Sequence, residues 1–250
     1  MWGKFDMISN LIADASLVRQ GIASGTEVAY DWIWWLDFDT LITNTSVSIS
    51  DIVEKALADV DAAGGRSEDV DYIFSRDCNG LNAGSFLVRA HPRSLEFVDM
   101  IDAYYLDMQA QHKTDMLSEQ DCMAAVLFPT TTQERDEDED GQVEAYTEML
   151  PSPYAGRFAM VPQRAINAFP EEIGCYEEAE VVSVDEEGVE GRETREVGRW
   201  REGDFVVHMA GAWAHVKEKD ATGVLMRKYA GMVDVLEREA EVEVVIEMPN

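Results

Sequence analysis

A short run of large apolar residues that ends in two aspartates constrains the fold of this chain more than any other segment. The run is Trp-Ile-Trp-Trp-Leu at positions 32–36, and it is followed by Asp37 and Asp39. A segment this short, rich in Trp and Ile and closed by polar residues, is typical of a buried β-strand. Alternate side chains of a strand share a face, so the two carboxylates are expected to project together if the strand geometry continues through them.

The place of these aspartates favours a metal site. In an open α/β sheet, ligands bind outside the carboxyl ends of the strands. Carboxylate oxygens at that place suit Mg²⁺ or Mn²⁺ carrying a diphosphate. An Asp-x-Asp triplet alone is more often a solvated turn or a helix cap. The apolar strand directly before the triplet is what favours the metal interpretation here.

Charge and hydropathy narrow the classes of partner. The 250 residues carry a formal net charge of -30, which argues against nucleic acid and against an anionic membrane surface. The sequence contains no apolar run of about 20 residues, and its first residues, Met-Trp-Gly-Lys-Phe-Asp, are not expected to be a signal peptide. The three cysteines (Cys78, Cys122 and Cys175) show no metal-ligand spacing. They form at most one disulfide and one free thiol, or stay three buried thiols.

Hydrophobic periodicity predicts one α/β domain over residues 1–250. Helices are expected over 4–23, 52–60 (capped by Ser50 and Asp51), 91–109 and 116–128, and from 216 onward. Further strands are expected over 70–74, 86–88 and 203–213. The segment 216–250 is expected to be a C-terminal helix and a tail, with 242–246 an extra strand or a frayed end.

Two acidic stretches, 130–149 and 177–199, are predicted to be surface insertions in this domain. The first holds the charge run 134–140, which has no apolar face and is expected to be a disordered loop. A calcium site is the alternative there, but the spaced glycine and the terminal Glu of an EF-hand loop are missing. The second insertion is expected to form a hairpin around Glu187 and Gly188.

Six short segments, taken in order, carry a resemblance to a known family. They are Trp-Gly-Lys at 2–4, Trp-Ile-Trp-Trp-Leu-Asp-Phe-Asp at 32–39, Gly-Leu-Asn-Ala-Gly-Ser-Phe-Leu-Val-Arg at 80–89, Glu-Gln-Asp at 119–121, Val-Pro-Gln-Arg-Ala-Ile-Asn at 161–167 and Gly-Asp-Phe-Val-Val-His-Met-Ala-Gly at 203–211. The ordered set resembles glycosyltransferase family 34, the Golgi α-galactosyl-, α-mannosyl- and xyloglucan α-xylosyltransferases. The resemblance covers about residues 2–215.

The resemblance implies a GT-A fold, with a Rossmann-like nucleotide-binding half, and a requirement for Mn²⁺. It implies Asp37, Asp39 and His208 as the metal ligands, which agrees with the aspartate pair at a strand end. A neutral imidazole suits Mn²⁺ beside carboxylates. The same resemblance places Gln120 near the anomeric carbon as a catalytic residue, and Glu119 where it holds sugar hydroxyls or the acceptor.

Donor binding is likewise implied by the resemblance. It falls to Lys4 on the nucleotide side, to Asn82 and the backbone of Gly84 in the sugar pocket, and to Asp121 and Gly211.

Two positions depart from the family pattern. Ala212 stands where the family commonly has Cys, and Trp213 stands where plant members have a phosphate-binding Lys. The first departure implies the loss of a disulfide found in the family, and the second favours the fungal mannosyl and galactosyl branch.

The implied activity is transfer of a hexose to a glycan or glycoprotein acceptor with retention of anomeric configuration. Because Gln120 is a poor nucleophile, we expect attack from the leaving-group side, with the departing phosphate accepting the proton of the acceptor. GDP-mannose is the favoured donor and UDP-galactose the second. The alternative is a non-catalytic structural subunit of a glycosyltransferase complex.

The resemblance also implies the Golgi lumen, because members of the family are type II membrane-anchored. In the family, the chain before Trp-x-Lys supplies the anchor, the stem and the first strands of the nucleotide-binding half. A single helix precedes the metal strand here, so we expect an N-terminally truncated version of the domain with a weakened base pocket.

Overall fold

The computed structural model describes residues 3–22, 30–113, 117–134, 145–184 and 190–246. Its helices are α1 Gly3–Arg19, α2 Ile49–Ala62, α3 Leu95–Ala110, α4 Glu119–Leu127, α5 Gln163–Ile166, α6 Ala212–His215 and α7 Ala221–Ile246. Its strands are β1 Trp32–Leu36, β2 Thr40–Ile42, β3 Tyr72–Asp77, β4 Gly80–Arg89, β5 Thr130–Glu134, β6 Ala145–Met149, β7 Phe158–Met160, β8 Glu178–Val184, β9 Glu190–Glu196 and β10 Val206–His208. The predicted mixed α/β class is therefore confirmed, whereas the Rossmann-like GT-A assignment and the truncation stay predictions.

The strands form one four-stranded sheet and three two-stranded pairs among the described residues. The larger sheet has the order β1-β4-β3-β7. Strand β2 pairs antiparallel with β10, which sets Thr40 opposite His208. Strands β5 and β6 form an antiparallel pair, as do β8 and β9. The β2–β10 pair matters most for the site, because it joins segments that lie far apart in the sequence.

The chain divides into two compact units. The first comprises Met1–Trp34, Val60–Ile73 and Leu87–Ala159, and the second comprises Trp35–Asp59, Phe74–Phe86 and Met160–Asn250. The predicted metal ligands all belong to the second unit, and the predicted residues Lys4, Glu119, Gln120 and Asp121 belong to the first. The single domain predicted over residues 1–250 stays a prediction.

The core of the first unit is built from α1, α3 and aromatic side chains. Helix α1 buries the face formed by Phe5, Ile8, Ile12 and Ala15, at the spacing expected of one helix side. Phe97 of α3 contacts Tyr72 and Tyr154 edge to face, with ring centroids 4.8 and 5.1 Å apart. This edge-to-face geometry is the favourable one for aromatic pairs.

A buried carboxylate ties this core to two arginines. Asp71 is fully buried, and its oxygens lie 2.8 Å from Arg93 Nη2 and 2.7 Å from Arg157 Nη2. The Asp71 backbone also takes part, since its N–H donates to Arg157 O and its carbonyl accepts from the N–H of Arg89. One residue thus pairs the charges of two guanidinium groups that are only partly exposed.

The core of the second unit lies between the end of β10 and helix α7. Leu225 and Tyr229 of α7 are buried against Val207 and Met209, and Phe169 belongs to the same cluster. This packing holds the first turns of α7 beside the segment that carries His208.

The cysteines adopt the first of the two arrangements that the sequence left open. Cys78 and Cys175 form a disulfide across 97 positions, and Cys122 is a free, buried thiol. Burial, with smaller contributions from the nearby Asp121 and Glu119, raises the pKa of the Cys122 thiol to about 11. Cys122 is therefore a poor nucleophile near neutral pH.

Reducing the disulfide is expected to lower the free energy of unfolding by about 2–4 kcal/mol, because the bond restricts a long loop of the unfolded chain. Denaturant unfolding with and without a reductant measures the difference. The paired Cys78→Ser and Cys175→Ser variant is the control, and its stability should not respond to the reductant. Equal stability of the oxidised and reduced forms contradicts a structural role for this disulfide.

Several predicted boundaries are corrected. Helix α2 begins at Ile49, and its first turn is capped by Ser48 Oγ, which accepts from the N–H of Ser50, so the predicted Ser50–Asp51 cap is wrong. The predicted strand 203–213 is limited to Val206–His208, because Gly203 and Gly211 have positive φ angles typical of turns. Residues 242–246 continue α7 and form neither a strand nor a separate tail.

The insertion 130–149 contains more regular structure than expected, whereas the insertion 177–199 contains the expected strands. The flanks of the 130–149 segment pair as β5 and β6, with Thr130 opposite Met149. The charge run beyond Glu134 lies outside the described residues. Strands β8 and β9 confirm the predicted hairpin arms, while Glu187 and Gly188 lie outside the described residues. Within the described segments, none of the helices has the length and apolar character that crossing a bilayer requires.

Candidate metal and donor site

The two aspartates lie in a turn and not in a strand. Strand β1 ends at Leu36, and the N–H of Thr40 donates to Asp37 O, at 3.1 Å, across the turn. The N–H of Asp37 donates to Gly84 O at 2.7 Å, which fixes the start of the turn against β4. Strand alternation is therefore the wrong reason for the two carboxylates to converge. The turn brings them together and leaves Phe38 between them 96% exposed.

His208 reaches these aspartates through the β2–β10 pair. The register places His208 opposite Thr40, and the N–H of Met209 donates to Asp39 O at 2.9 Å. His208 is 2% exposed, and its Nε2 lies 3.1 Å from Asp39 Oδ1. One ligand atom from each of Asp37, Asp39 and His208 falls within a 4.8 Å cluster. Two carboxylates and an imidazole are a donor set that fits Mn²⁺.

Neighbouring side chains contact both carboxylates. Trp35 Nε1 donates to Asp37 Oδ1 at 2.7 Å, so one metal-ligand candidate is fixed by the strand that precedes it. Burial acts to raise the pKa of Asp39, but His208, which in its protonated form donates a hydrogen bond and carries a positive charge, outweighs it, and the net shift is downward. A carboxylate with a lowered pKa is available to a cation over a wide pH range.

Strand β4 approaches the imidazole closely, which only glycine permits at position 84. A Cβ added there would lie 2.2 Å from His208 Cε1. The N–H of Gly84 donates to Asn82 Oδ1 at 2.8 Å, and Asn82 Nδ2 donates to Asp77 Oδ2 at 2.7 Å. Both ends of the Asn82 amide are thus bound within the protein. Gly84 lies against His208, and Asn82 binds Gly84 and Asp77. The predicted donor contacts of Asn82 and Gly84 stay predictions.

A cleft of about 730 Å³ opens onto the aspartates. Trp35 and Phe38 line it from the aspartate side, and Thr222, Gly223 and Met226 line it from the first turns of α7. Clefts of this size accommodate small-molecule ligands. Gly211, a predicted donor residue, has φ 68° and is the N-cap residue directly before α6, three positions after His208. Its predicted contact with the donor stays a prediction.

The remaining predicted residues meet in the first unit. Lys4 is 6% exposed, and its Nζ lies 3.1 Å from Glu119 Oε1. The carboxylate of Asp121 accepts from the backbone N–H and the hydroxyl of Ser118, which forms a capping box at the start of α4. Gln120 is the half-buried second residue of α4. The roles predicted for these residues toward donor and acceptor stay predictions; the observed contacts are an ion pair and a helix cap.

Sequence reasoning missed two side chains at the metal cluster. The sequence pattern indicates Trp35 only as part of an apolar strand, but its indole N–H binds Asp37. The pattern assigns no role to Asn167, whose side chain lies 2.6 Å from His208 Nδ1. The signal for Asn167 was present in the sequence, since it ends the Val-Pro-Gln-Arg-Ala-Ile-Asn segment that carries the resemblance.

Known proteins resemble this chain over the part that contains the candidate metal site. The family model of the galactosyl transferase GMA12/MNN10 family matches residues 28–219. The probable alpha-1,2-galactosyltransferase gmh2 of Schizosaccharomyces pombe is 27% identical over 229 residues, which cover 82% of this chain and 51% of that protein. The probable alpha-1,6-mannosyltransferase MNN10 of Saccharomyces cerevisiae is 27% identical over 197 residues, which cover 72% of this chain and 41% of that protein.

A second fission yeast relative, the probable alpha-1,2-galactosyltransferase gmh1, is 28% identical over 211 residues, which cover 74% of this chain and 49% of that protein. No solved structure matches. The chain spans about half the length of the curated relatives that it matches. The matched residues include the two aspartates, Gly84, Asn167 and His208. Since the match covers most of the sequence, the chain belongs to the galactosyl transferase GMA12/MNN10 family, which is glycosyltransferase family 34.

Proposed function

We propose that this chain carries the metal and donor site of a Mn²⁺-dependent retaining glycosyltransferase, which moves a hexose from a nucleotide sugar to a glycan acceptor. The observation that supports it most is the convergence of Asp37, Asp39 and His208 within 4.8 Å, with both aspartates lining a cleft of about 730 Å³. His208 is 169 positions from Asp39 in the sequence, so a cluster of this composition beside a cleft is hard to explain by packing alone.

The chain's own residues supply binding and orientation. Asp37, Asp39 and His208 hold the cation, and Trp35 fixes the carboxylate of Asp37 through its indole N–H. A Mn²⁺ ion held by these residues would supply the positive charge that stabilises the departing diphosphate. Trp35, Phe38 and Met226 give the cleft apolar surface against which the donor packs in the proposal.

Members of the family retain the anomeric configuration of the donor, and we explain this retention by attack from the leaving-group side, because Gln120, which the resemblance places near the anomeric carbon, is a poor nucleophile. Gln120 carries an amide, which does not form a glycosyl ester, so the acceptor attacks from the leaving-group side. The departing phosphate takes the acceptor's proton. Glu119 holds sugar hydroxyls or the acceptor. The roles of Gln120 and Glu119 rest on the family resemblance, and the structure contributes the ion pair between Glu119 and Lys4.

GDP-mannose is the proposed donor and UDP-galactose the second candidate. Relatives named as alpha-1,2-galactosyltransferases and as an alpha-1,6-mannosyltransferase align with this chain, so both donors enter the test. The proposed place of action is the Golgi lumen. The disulfide between Cys78 and Cys175 supports it, because disulfides persist in oxidising compartments. The acceptor is a glycan or a glycoprotein.

The test is donor turnover with each nucleotide sugar in the presence and absence of Mn²⁺. We expect release of GDP or UDP that stops on addition of a chelator and returns with excess Mn²⁺. With a mannose- or galactose-ended acceptor, NMR of the product should show the anomeric configuration of the donor. Binding of a nucleotide sugar without any turnover of either donor contradicts the proposal and favours the non-catalytic subunit of a glycosyltransferase complex.

A further inference from the structure

We propose that Asn167 is a positioning residue that sets the tautomer of His208 and thereby prepares its Nε2 for a metal ion. Nothing in the sequence comparison assigns a role to this side chain. The inference deepens the proposed function and rests on the metal site proposed there, but the state of the metal-free ring tests it separately.

The contact between the two side chains is short and buried. Asn167 Oδ1 lies 2.6 Å from His208 Nδ1, and the two residues are 0% and 2% exposed. An amide oxygen only accepts hydrogen bonds, so it selects the ring form in which Nδ1 carries the proton. The lone pair of Nε2 then points toward Asp39 Oδ1, which lies 3.1 Å away. A metal ion between Nε2 and the carboxylate uses this lone pair.

The backbone holds the two side chains in register. Asn167 directly follows α5, and its N–H donates to Gln163 O at 2.8 Å. The next residue, Ala168, bridges Val207 in parallel and accepts from the N–H of His208 at 2.8 Å. Asn167 is therefore fixed next to the imidazole by main-chain bonds that do not depend on its own side chain.

The other sides of the ring are closed, so the proton position is the remaining variable. Gly84 approaches Cε1 so closely that a Cβ would lie 2.2 Å away. Phe169 packs edge to face on the ring, with centroids 5.6 Å apart and planes at 79°. Gly84 and Phe169 therefore both pack close to the imidazole. The two acceptors, Asn167 Oδ1 and Asp39 Oδ1, then compete for one ring proton, and a proton on Nε2 would occupy the position the metal needs.

The other end of the same amide identifies the oxygen as the atom that matters. Among the described residues, Asn167 Nδ2 is buried and has no hydrogen-bond partner. A buried amide N–H without a partner costs free energy. An Asp at this position would offer the same acceptor without the unpaired donor. The acceptor can thus be tested apart from the amide.

Gln163 provides a matched control at the other end of the same short helix. Like Asn167 it is 0% exposed, and its Nε2 has no partner among the residues described. Its Oε1 accepts a hydrogen bond from the N–H of Glu177 at 2.6 Å, and His208 takes no part in this bond. Replacing either amide by Leu removes one buried acceptor, but only Asn167→Leu removes the acceptor for the imidazole.

The first experiment reads the tautomer directly. Long-range ¹H–¹⁵N NMR of the metal-free protein at mildly alkaline pH, with His208 assigned through His208→Gln, shows which nitrogen carries the proton. We expect Nδ1–H in the wild type, in Asn167→Asp and in Gln163→Leu, and a shift toward Nε2–H in Asn167→Leu. A wild-type ring protonated on Nε2 overturns the proposal without any variant. An unchanged tautomer in Asn167→Leu overturns it as well.

The second experiment measures the dissociation constant of Mn²⁺ by electron paramagnetic resonance of the free ion. Asn167→Leu should weaken binding by about 10- to 100-fold, the usual cost of losing the partner of a metal-bound histidine. Asn167→Asp and Gln163→Leu should bind within a few-fold of the wild type. Equal losses in Asn167→Leu and Gln163→Leu indicate a general packing effect and overturn the proposal. Failure of the wild type to bind Mn²⁺ refutes the proposed function, while the tautomer experiment still judges Asn167.

Discussion

Asp39→Asn is expected to lower Mn²⁺-dependent donor turnover by at least about a thousandfold. The substitution keeps the size of the side chain and an oxygen toward His208, but it removes the charge that holds the cation. A metal ion contributes several kcal/mol to stabilising charge in a transition state. Each tenfold in rate corresponds to about 1.4 kcal/mol, so losing the metal costs several powers of ten. Initial rates of nucleotide release at saturating donor and Mn²⁺ measure the loss.

Asp59→Asn is the matched control for this experiment. Asp59 belongs to the same unit, is exposed, and pairs with Lys55 one helical turn away at 2.7 Å. Its substitution should leave turnover and Mn²⁺ affinity within twofold of the wild type, because exposed pairs of this kind contribute little. If Asp39→Asn retained turnover within about tenfold of the wild type at the same Mn²⁺ affinity, Asp39 would not be a metal ligand.

Asp71→Ala is expected to lower the free energy of unfolding by about 3–5 kcal/mol. The carboxylate is 0% exposed and lies 2.8 Å from Arg93 and 2.7 Å from Arg157, so its removal leaves two guanidinium groups without their buried counter-charge. Breaking one side of a buried ion pair costs this much because the remaining charge is not resolvated. The partial exposure of both arginines places the effect toward the lower end of the range. Denaturant unfolding measures it.

Asp69→Ala tests whether burial, and not charge alone, produces this effect. Asp69 is 40% exposed and lies 3.7 Å from the same Arg93. A surface pair of that kind contributes at most about 1 kcal/mol. Equal losses of stability in the Asp69 and Asp71 variants would show that the two pairs are equivalent and that the buried network has no special part in the fold.

The sequence by itself determined the local elements and the family. Spacing over a few residues was enough to find the strand before Asp37, the buried face of α1 and the paired arms β8 and β9. The ordered short segments were enough to indicate glycosyltransferase family 34, which the match over residues 28–219 shows. Side-chain alternation and helical period are properties of neighbouring residues, so a single sequence contains them.

The tertiary structure alone decided how these pieces meet. The pairing of β2 with β10 brings His208 to Asp39 across 169 positions, and the sequence without the family resemblance offered no reason to join them. The disulfide across 97 positions and the ion pair between Lys4 and Glu119 also join residues far apart in the sequence, and local patterns did not indicate either contact. Even the convergence of Asp37 and Asp39 depends on a turn fixed by the backbone of Gly84.

The physical reason is that register between distant segments is set by main-chain hydrogen bonds and by the exclusion of side-chain volume. Neither leaves a periodic trace in the local sequence. Asn167 illustrates this. Its identity is visible in the sequence, but its significance comes from the parallel bridge that sets Ala168 against Val207 and so places an amide oxygen 2.6 Å from a buried imidazole.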